Sequence, residues 1–174
     1  MEKTLAVLNQ LETAGIIERY AIGGAVAVTR YLEPIQTCDL DVFVSLPLAP
    51  SGLVSLEPIC AALTQRGYSP QGECIVVEGW PVRFLPAYNE MLEEALAQAV
   101  EVEFAATPTR VLSAEYLAAI MLQTGRPKDY ARLLQFLEFD VLNQAVLDDI
   151  LARHGLVAKW EAFRRRFLTS EGDG

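Results

Sequence analysis

Histidine occurs once in this chain of 174 residues, at His154, and cysteine three times, at Cys38, Cys60 and Cys74. A histidine-based metal centre or catalytic triad needs partners that one histidine cannot supply. His154 stands just before Gly155 near a helix end, where a cap-proximal histidine is ordinary. The cysteines are scattered, odd in number and form no CxxC pair, so neither a zinc site nor a disulfide framework is expected. No stretch approaches the ~18 consecutive apolar residues of a membrane span. Met1-Glu2-Lys3-Thr4 leads into a helical pattern that carries Gln10 and Glu12, which does not read as a secretory signal. A cytoplasmic protein with no membrane partner is expected. Positive charge is scarce too, and the formal net charge is -9. Broad nucleic-acid binding rests on Lys and Arg neutralising phosphates, which an acidic chain does not favour, although a local basic patch can still dock RNA. The dense basic run, Arg164-Arg165-Arg166, shares a helical pattern with Trp160, Phe163 and Phe167 and reads as a solvated face beside an apolar stripe.

What is present is a chain 52% hydrophobic and 21% charged, long enough to bury a core without staples. Leu5, Leu8 and Leu11 mark a helix over about residues 4–16. A strand follows at 19–22, closed by Gly23-Gly24, and a helix over 25–32 stopped by Glu33-Pro34. Residues 39–46, rich in Val and Phe, read as a strand, and Pro47, Pro50 and Gly52 as a loop. A helix is expected from Ser55 to Arg66. Two strands, 74–77 and 82–85, form a hairpin through Glu78-Gly79-Trp80-Pro81. Asn89 caps a helix to about residue 99, and a strand covers 100–105. From Ser113 the pattern is wholly helical, at 114–123, 127–139, 141–153 and 157–168. The expected fold is therefore α/β of the α+β kind: a small mixed sheet flanked by helices, with an all-helical C-terminal extension. The expected division is residues 1–112 and residues 113–174, the second packed on the first.

The stretch that carries chemistry is Ile22-Gly23-Gly24-Ala25, followed by Thr37-Cys38-Asp39-Leu40-Asp41-Val42-Phe43-Val44. Residues two apart on a strand share a face, so Asp39 and Asp41 lie on one side, ~6.6 Å apart, with Leu40, Val42 and Val44 on the other. Two carboxylates at the start of a strand can share a hard divalent cation such as Mg²⁺, which prefers carboxylate and phosphate oxygens and water. Paired glycines permit a tight turn and close approach of backbone to a ligand, and a helix starting there aims N–H groups at an anion. Each half has an ordinary alternative, a plain turn for the glycines and a solvated strand edge for the aspartates.

The order strand, Gly-Gly, helix, Asp-x-Asp strand resembles the nucleotidyltransferase fold of the DNA polymerase β superfamily. Within that fold it is similar to the small prokaryotic AbiEii-like group, which includes toxins of type IV toxin–antitoxin systems. The resemblance covers roughly residues 18–138. Arg126-Pro127-Lys128-Asp129 looks like an Arg-x-Lys-Asp element that begins a helix in that group. The resemblance implies a triphosphate at Gly23 and Gly24, Mg (or Mn) on Asp39 and Asp41, and Lys128 and Asp129 completing the nucleotide side. It also implies transfer of a nucleoside monophosphate to a hydroxyl of RNA, protein or a small molecule, and an antitoxin-like partner. Read without the resemblance, Lys128 and Asp129 are a solvated first helical turn, with Asp129 favouring the helix dipole.

The sequence departs from that pattern. Active relatives carry a third carboxylate on a later strand, and in Pro81-Val82-Arg83-Phe84-Leu85-Pro86 the corresponding place holds Arg83. A guanidinium cannot ligate Mg²⁺. It can contact a phosphate, pair with Asp39 or Asp41, or simply sit on an exposed strand face. Glu73 and Glu78 are the nearby carboxylates that could stand in. Ala25 lacks the hydroxyl many relatives place after the glycines, and Met121 stands where relatives often have lysine. Three functions are thus open: a metal-dependent nucleotidyltransferase, a catalytically degenerate nucleotide- or partner-binding module, and an interaction protein whose aspartates only guard a strand edge.

Overall fold

The structure, a computed structural model, describes residues 1–33, 37–47 and 54–168. The stop expected at Pro34 and the loop positions Pro50 and Gly52 lie outside the described residues. Among the described residues the fold is α+β, with seven strands in one mixed sheet and eight helices. The chain divides into two compact units, Met1–Ser113 and Ala114–Gly174.

In the first unit α1 (Glu2–Thr13) buries Leu5, Leu8 and Leu11, the face expected from their spacing, and packs on strands β1 and β7. Here β1 is Arg19–Ile22 and β7 is Thr107–Val111. The other strands are β2 (Leu40–Ser45), β3 (Pro70–Gln71), β4 (Cys74–Val77), β5 (Trp80–Pro86) and β6 (Val100–Phe104). Their order across the sheet is β3-β4-β5-β2-β1-β7-β6. β2 runs antiparallel to β1 and parallel to β5, so its six residues sit mid-sheet and both its neighbours fix its register. Leu40, Val42 and Val44 are wholly buried, as a strand with one face on a core requires.

Three helices complete this unit. α2 (Gly24–Val28) follows β1 directly and packs on β2. α3 (Glu57–Gln65) buries Ile59 and Leu63, carries Pro58 in its first turn, and ends before Gly67 at φ +86°. Ser55 Oγ accepts from Glu57 N at 3.1 Å. α4 (Glu90–Ala97) is capped by Asn89, whose Oδ1 accepts from Leu92 N at 2.9 Å, and it packs on β1 and β2.

Two strands go beyond the sequence expectation. β3 is only two residues long. β7 pairs antiparallel with β6 through a turn at Ala105 and Ala106, both at positive φ (48° and 64°). That geometry normally signals itself by Gly or Asn, which this turn lacks. Pro108 lies inside β7, but β7 meets β1 only where Ile22 faces Val111, so the proline interrupts no ladder on that side. The inner face of this region holds Tyr20, whose hydroxyl donates to Asn9 Oδ1 at 2.6 Å and lies 3.1 Å from Thr109 Oγ1. Arg110 makes two bonds to the Glu12 carboxylate, at 2.9 and 3.1 Å, with its guanidinium over the Tyr20 ring.

The second unit is helical throughout: α5 (Ala114–Thr124), α6 (Pro127–Glu138), α7 (Gln144–Arg153) and α8 (Val157–Phe167). α7 begins three residues later than its apolar pattern suggests. Asn143 caps it, accepting from Val146 N at 3.3 Å. On α8, Trp160 stacks on Phe163 with ring centres 5.6 Å apart, and both are buried. Arg164, Arg165 and Arg166 are exposed, as the sequence implied, with the Arg166 guanidinium over the Phe167 ring.

Candidate active site

β2 and β5 build the site between them. Their parallel register sets Asp41 opposite Arg83. Val82 and Phe84, either side of Arg83, are buried, so alternation along β5 turns the guanidinium to the face that carries the aspartates. There Arg83 Nε donates to Asp41 Oδ1 at 2.8 Å and Nη2 donates to Asp39 Oδ2 at 2.8 Å. The third nitrogen, Nη1, lies 3.8 Å from Glu73 Oε2. One guanidinium thus faces three carboxylates.

Each aspartate is also held from behind. Thr37 Oγ1 donates toward Asp39 Oδ1 at 3.3 Å and to the Asp39 carbonyl at 3.1 Å, which fixes the approach to β2. Asp41 lies against Gly24. A methyl group added at Gly24 would sit 2.8 Å from the Asp41 carboxyl carbon and 2.9 Å from its Cβ. Gly24 also has φ +56°, a conformation that costs any other residue. Gly23 donates its N–H to the Asp41 carbonyl at 2.9 Å, and a methyl on it would press on the Phe43 ring. The two glycines therefore have a reason in the packing itself: they let Asp41 and Phe43 close on the turn between β1 and α2.

The electrostatics follow from this crowding. The hydrogen bond to Asp41 raises the Arg83 pKa above its ordinary value, against the opposing effect of burial, and the charges of Asp41 and Asp39 add to the rise. The guanidinium is a permanent cation here. Burial pushes the Cys74 thiol up, and Asp39, Asp41 and Glu73 push the same way against Arg83. Cys74 was read only as a scattered cysteine; the β3–β4 and β4–β5 pairings bring it to this cluster. Of the two stand-in carboxylates, Glu73 reaches the cluster edge with 86% of its side chain exposed. Glu78 is at the β4–β5 turn and accepts from the Tyr68 hydroxyl at 2.7 Å.

Lys128 and Asp129 lie in the first turn of α6, in the second unit. Lys128 is exposed. Asp129 is buried, not solvated, and accepts from Arg126 through Nε at 2.7 Å, Nη2 at 3.2 Å and the backbone N–H at 3.3 Å. Its carboxylate closes the N-terminus of α6.

Asp39 and Asp41 offer hard oxygens that converge on one positive charge, so the guanidinium stands in for a cation, and the chemistry fits Mg²⁺ or Mn²⁺. The described residues bring no group of three His, Cys, Asp or Glu that could hold a metal ion. Two carboxylates can therefore hold a metal only with water or a ligand filling the remaining positions, and only once Arg83 has left them.

Among solved structures, the chain is similar to an antigenic nucleotidyltransferase-like protein from Paracoccidioides brasiliensis. The TM-score is 0.55 at 14% identity, covering 91% of this chain and 90% of that one. The fold is nucleotidyltransferase-like. Two structures of ANT(2'')-Ia are also similar at lower scores. One is a solution structure of this antibiotic-resistance factor (TM-score 0.45, 17% identity, 98% and 97% coverage). The other is a crystal structure in complex with adenylyl-2''-tobramycin (TM-score 0.44, 16% identity, 95% of each chain). No family model and no curated protein matches the chain. At these identities the likeness is one of fold.

Proposed function

We propose that the chain binds a nucleoside triphosphate together with Mg²⁺ (or Mn²⁺) and transfers a nucleoside monophosphate to a hydroxyl acceptor. One observation carries this reading: the carboxylates of Asp39, just before β2, and of Asp41, on β2 and against Gly24, converge on a single cation. Asp39 and Asp41 would hold the metal, which when bound neutralises phosphate charge. The Gly23–Gly24 turn receives the phosphates, and Arg83 turns from the aspartates to a phosphate, for which its planar fork is equally suited. The acceptor oxygen then bonds to the α-phosphorus, the bond to the bridging oxygen breaks, pyrophosphate leaves, and the hydroxyl proton passes to a carboxylate or to water. Kinship to the AbiEii-like group would make RNA, protein or a small molecule the acceptor and an antitoxin-like protein the partner.

A second reading, binding without turnover, is favoured by Arg83 itself. It occupies the strand position where the resemblance calls for a third carboxylate, and the one at the cluster edge, Glu73, is mostly solvent-exposed.

Two measurements test these readings. The first is equilibrium binding of a non-hydrolysable triphosphate with and without Mg²⁺, for wild type and for Asp39→Asn with Asp41→Asn. The second is transfer of radiolabel from α-labelled triphosphates. Metal-dependent binding lost in the double variant supports the site, and label transfer supports the enzyme. Binding without label transfer selects the second reading. Equal binding by both proteins with and without metal removes both.

A further inference from the structure

We propose that Arg83 is a built-in counter-cation that closes the aspartate pair to free divalent cations, so that metal enters only when a polyphosphate takes over the guanidinium. The inference deepens the nucleotide-binding reading and rests on it for the identity of the polyphosphate.

The argument starts from charge. Asp41 on β2 and Asp39 just before it meet the same guanidinium, and Glu73 adds a third carboxylate nearby. Without a cation between them these groups repel one another. Arg83 supplies that cation through two bonds of 2.8 Å, one to each aspartate. Both partners are already fixed. Asp39 is held by Thr37, and Asp41 by the β2–β5 register and by its contact with Gly24. The carboxylate oxygens that a metal would need are therefore the ones that face the guanidinium.

A free Mg²⁺ or Mn²⁺ must displace this group and give up part of its own hydration. Arg83 cannot help by losing its charge, since guanidinium stays protonated in proteins. Displaced alone, it would lose two charge-assisted bonds with nothing in return. A phosphate chain changes the exchange, because its oxygens accept from guanidinium as carboxylates do. The nucleotide thus removes the obstacle to the metal, and the two bind with positive coupling.

The movement is local. Arg83 keeps 29% of its side chain exposed. Its strand is anchored by the buried neighbours Val82 and Phe84, so the head group can swing while β5 stays in register. Removing the guanidinium should leave the aspartates in place and unbalanced, a vacant cation site.

The test is Mn²⁺ binding, followed by electron paramagnetic resonance of the free ion and by calorimetry, on wild type, Arg83→Ser, and Arg83→Ser with Asp41→Asn. Mn²⁺ alone should bind Arg83→Ser about tenfold or more tighter than wild type, from the loss of a partly exposed ion-pair network. The added Asp41→Asn change should abolish the gain. A non-hydrolysable triphosphate should tighten Mn²⁺ binding to wild type by more than it does to Arg83→Ser. Equal Mn²⁺ affinity of folded wild type and Arg83→Ser would overturn the proposal, as would a gain that survives Asp41→Asn. If Arg83→Ser does not fold, Arg83→Gln, neutral but still a donor, is read by the same comparison. The metal-alone comparison contains no nucleotide. Failure of the triphosphate to bind any variant would therefore count against the nucleotide reading, while the gain on removing Arg83 would be judged separately.

Discussion

Arg83 and Asp41 face one another across β5 and β2 in exact parallel register, joined by a 2.8 Å bond from Nε to Oδ1. The pair couples the site to the centre of the sheet, because both residues alternate with buried neighbours on their strands. With Asp41 18% and Arg83 29% exposed, the pair is neither a surface ion pair nor a buried one. A double-mutant cycle of Asp41→Asn and Arg83→Gln, read by urea denaturation, should give a coupling of about 1 kcal/mol, near the top of the range for exposed pairs. A coupling near zero would mean the bond is a surface accident.

Gly24 should be the least replaceable of the described glycines in the first unit. Gly24→Ala meets two costs, the left-handed backbone at φ +56° and contact with the Asp41 carboxyl group. Gly67→Ala, at φ +86° with open space around it, meets only the backbone cost. Left-handed backbone costs roughly 1–2 kcal/mol for a residue with a Cβ. Gly67→Ala should lose about that much in urea denaturation, and Gly24→Ala at least about 1 kcal/mol more, as an overpacked contact does. Equal losses would show that Asp41 yields freely at the turn.

Both of these sites were legible in the sequence because they rest on local rules. The period of two put Asp39 and Asp41 on one face and Leu40, Val42 and Val44 in the core. Gly23-Gly24 marked the turn, and the alternation through Val82-Arg83-Phe84 set the direction of Arg83 once β5 lay beside β2. The pairing itself was not legible. Nothing in either strand states that β5 joins β2 in parallel, nor that Glu73 and Cys74 come to the same corner through β4. These depend on long-range register, which periodicity does not encode. Asp129, which reads as solvated without the resemblance, differs for a local reason: it caps α6 with Arg126, three residues earlier, and sequence does not show that the carboxylate is buried while the guanidinium stays exposed.

β7 escaped notice because its turn uses Ala105 and Ala106 at φ 48° and 64°. Two alanines in left-handed backbone carry a cost that Asn-Gly avoids. Replacing Ala105-Ala106 by Asn-Gly should therefore stabilise the chain by about 1 kcal/mol or more, read as a raised urea midpoint with unchanged slope. A lower midpoint would mean that the alanine methyls make contacts worth more than the strain.

The last prediction concerns Tyr20, buried where α1 meets β1 and β7. Burial raises its hydroxyl pKa above the ordinary value of 10.0, more than the Thr109 hydrogen bond and the nearby Arg110 charge lower it, and Glu12 adds to the rise. The sign for stability follows. Above pH 10 the unfolded chain loses the phenolic proton first while the folded chain still holds it, so the unfolded state is favoured as pH rises. The contribution of Tyr20 is complete below pH 10 and is lost as pH climbs through the raised folded value. At neutral pH, Tyr20→Phe should cost about 1–2 kcal/mol, since Asn9 loses the donor of its 2.6 Å bond. Between pH 9 and 11 the wild type should lose stability faster than Tyr20→Phe, so the gap between them narrows with rising pH. Urea titrations at several alkaline pH values measure this directly. Parallel losses in the two proteins would show that Tyr20 does not ionise differently in the folded and unfolded chains.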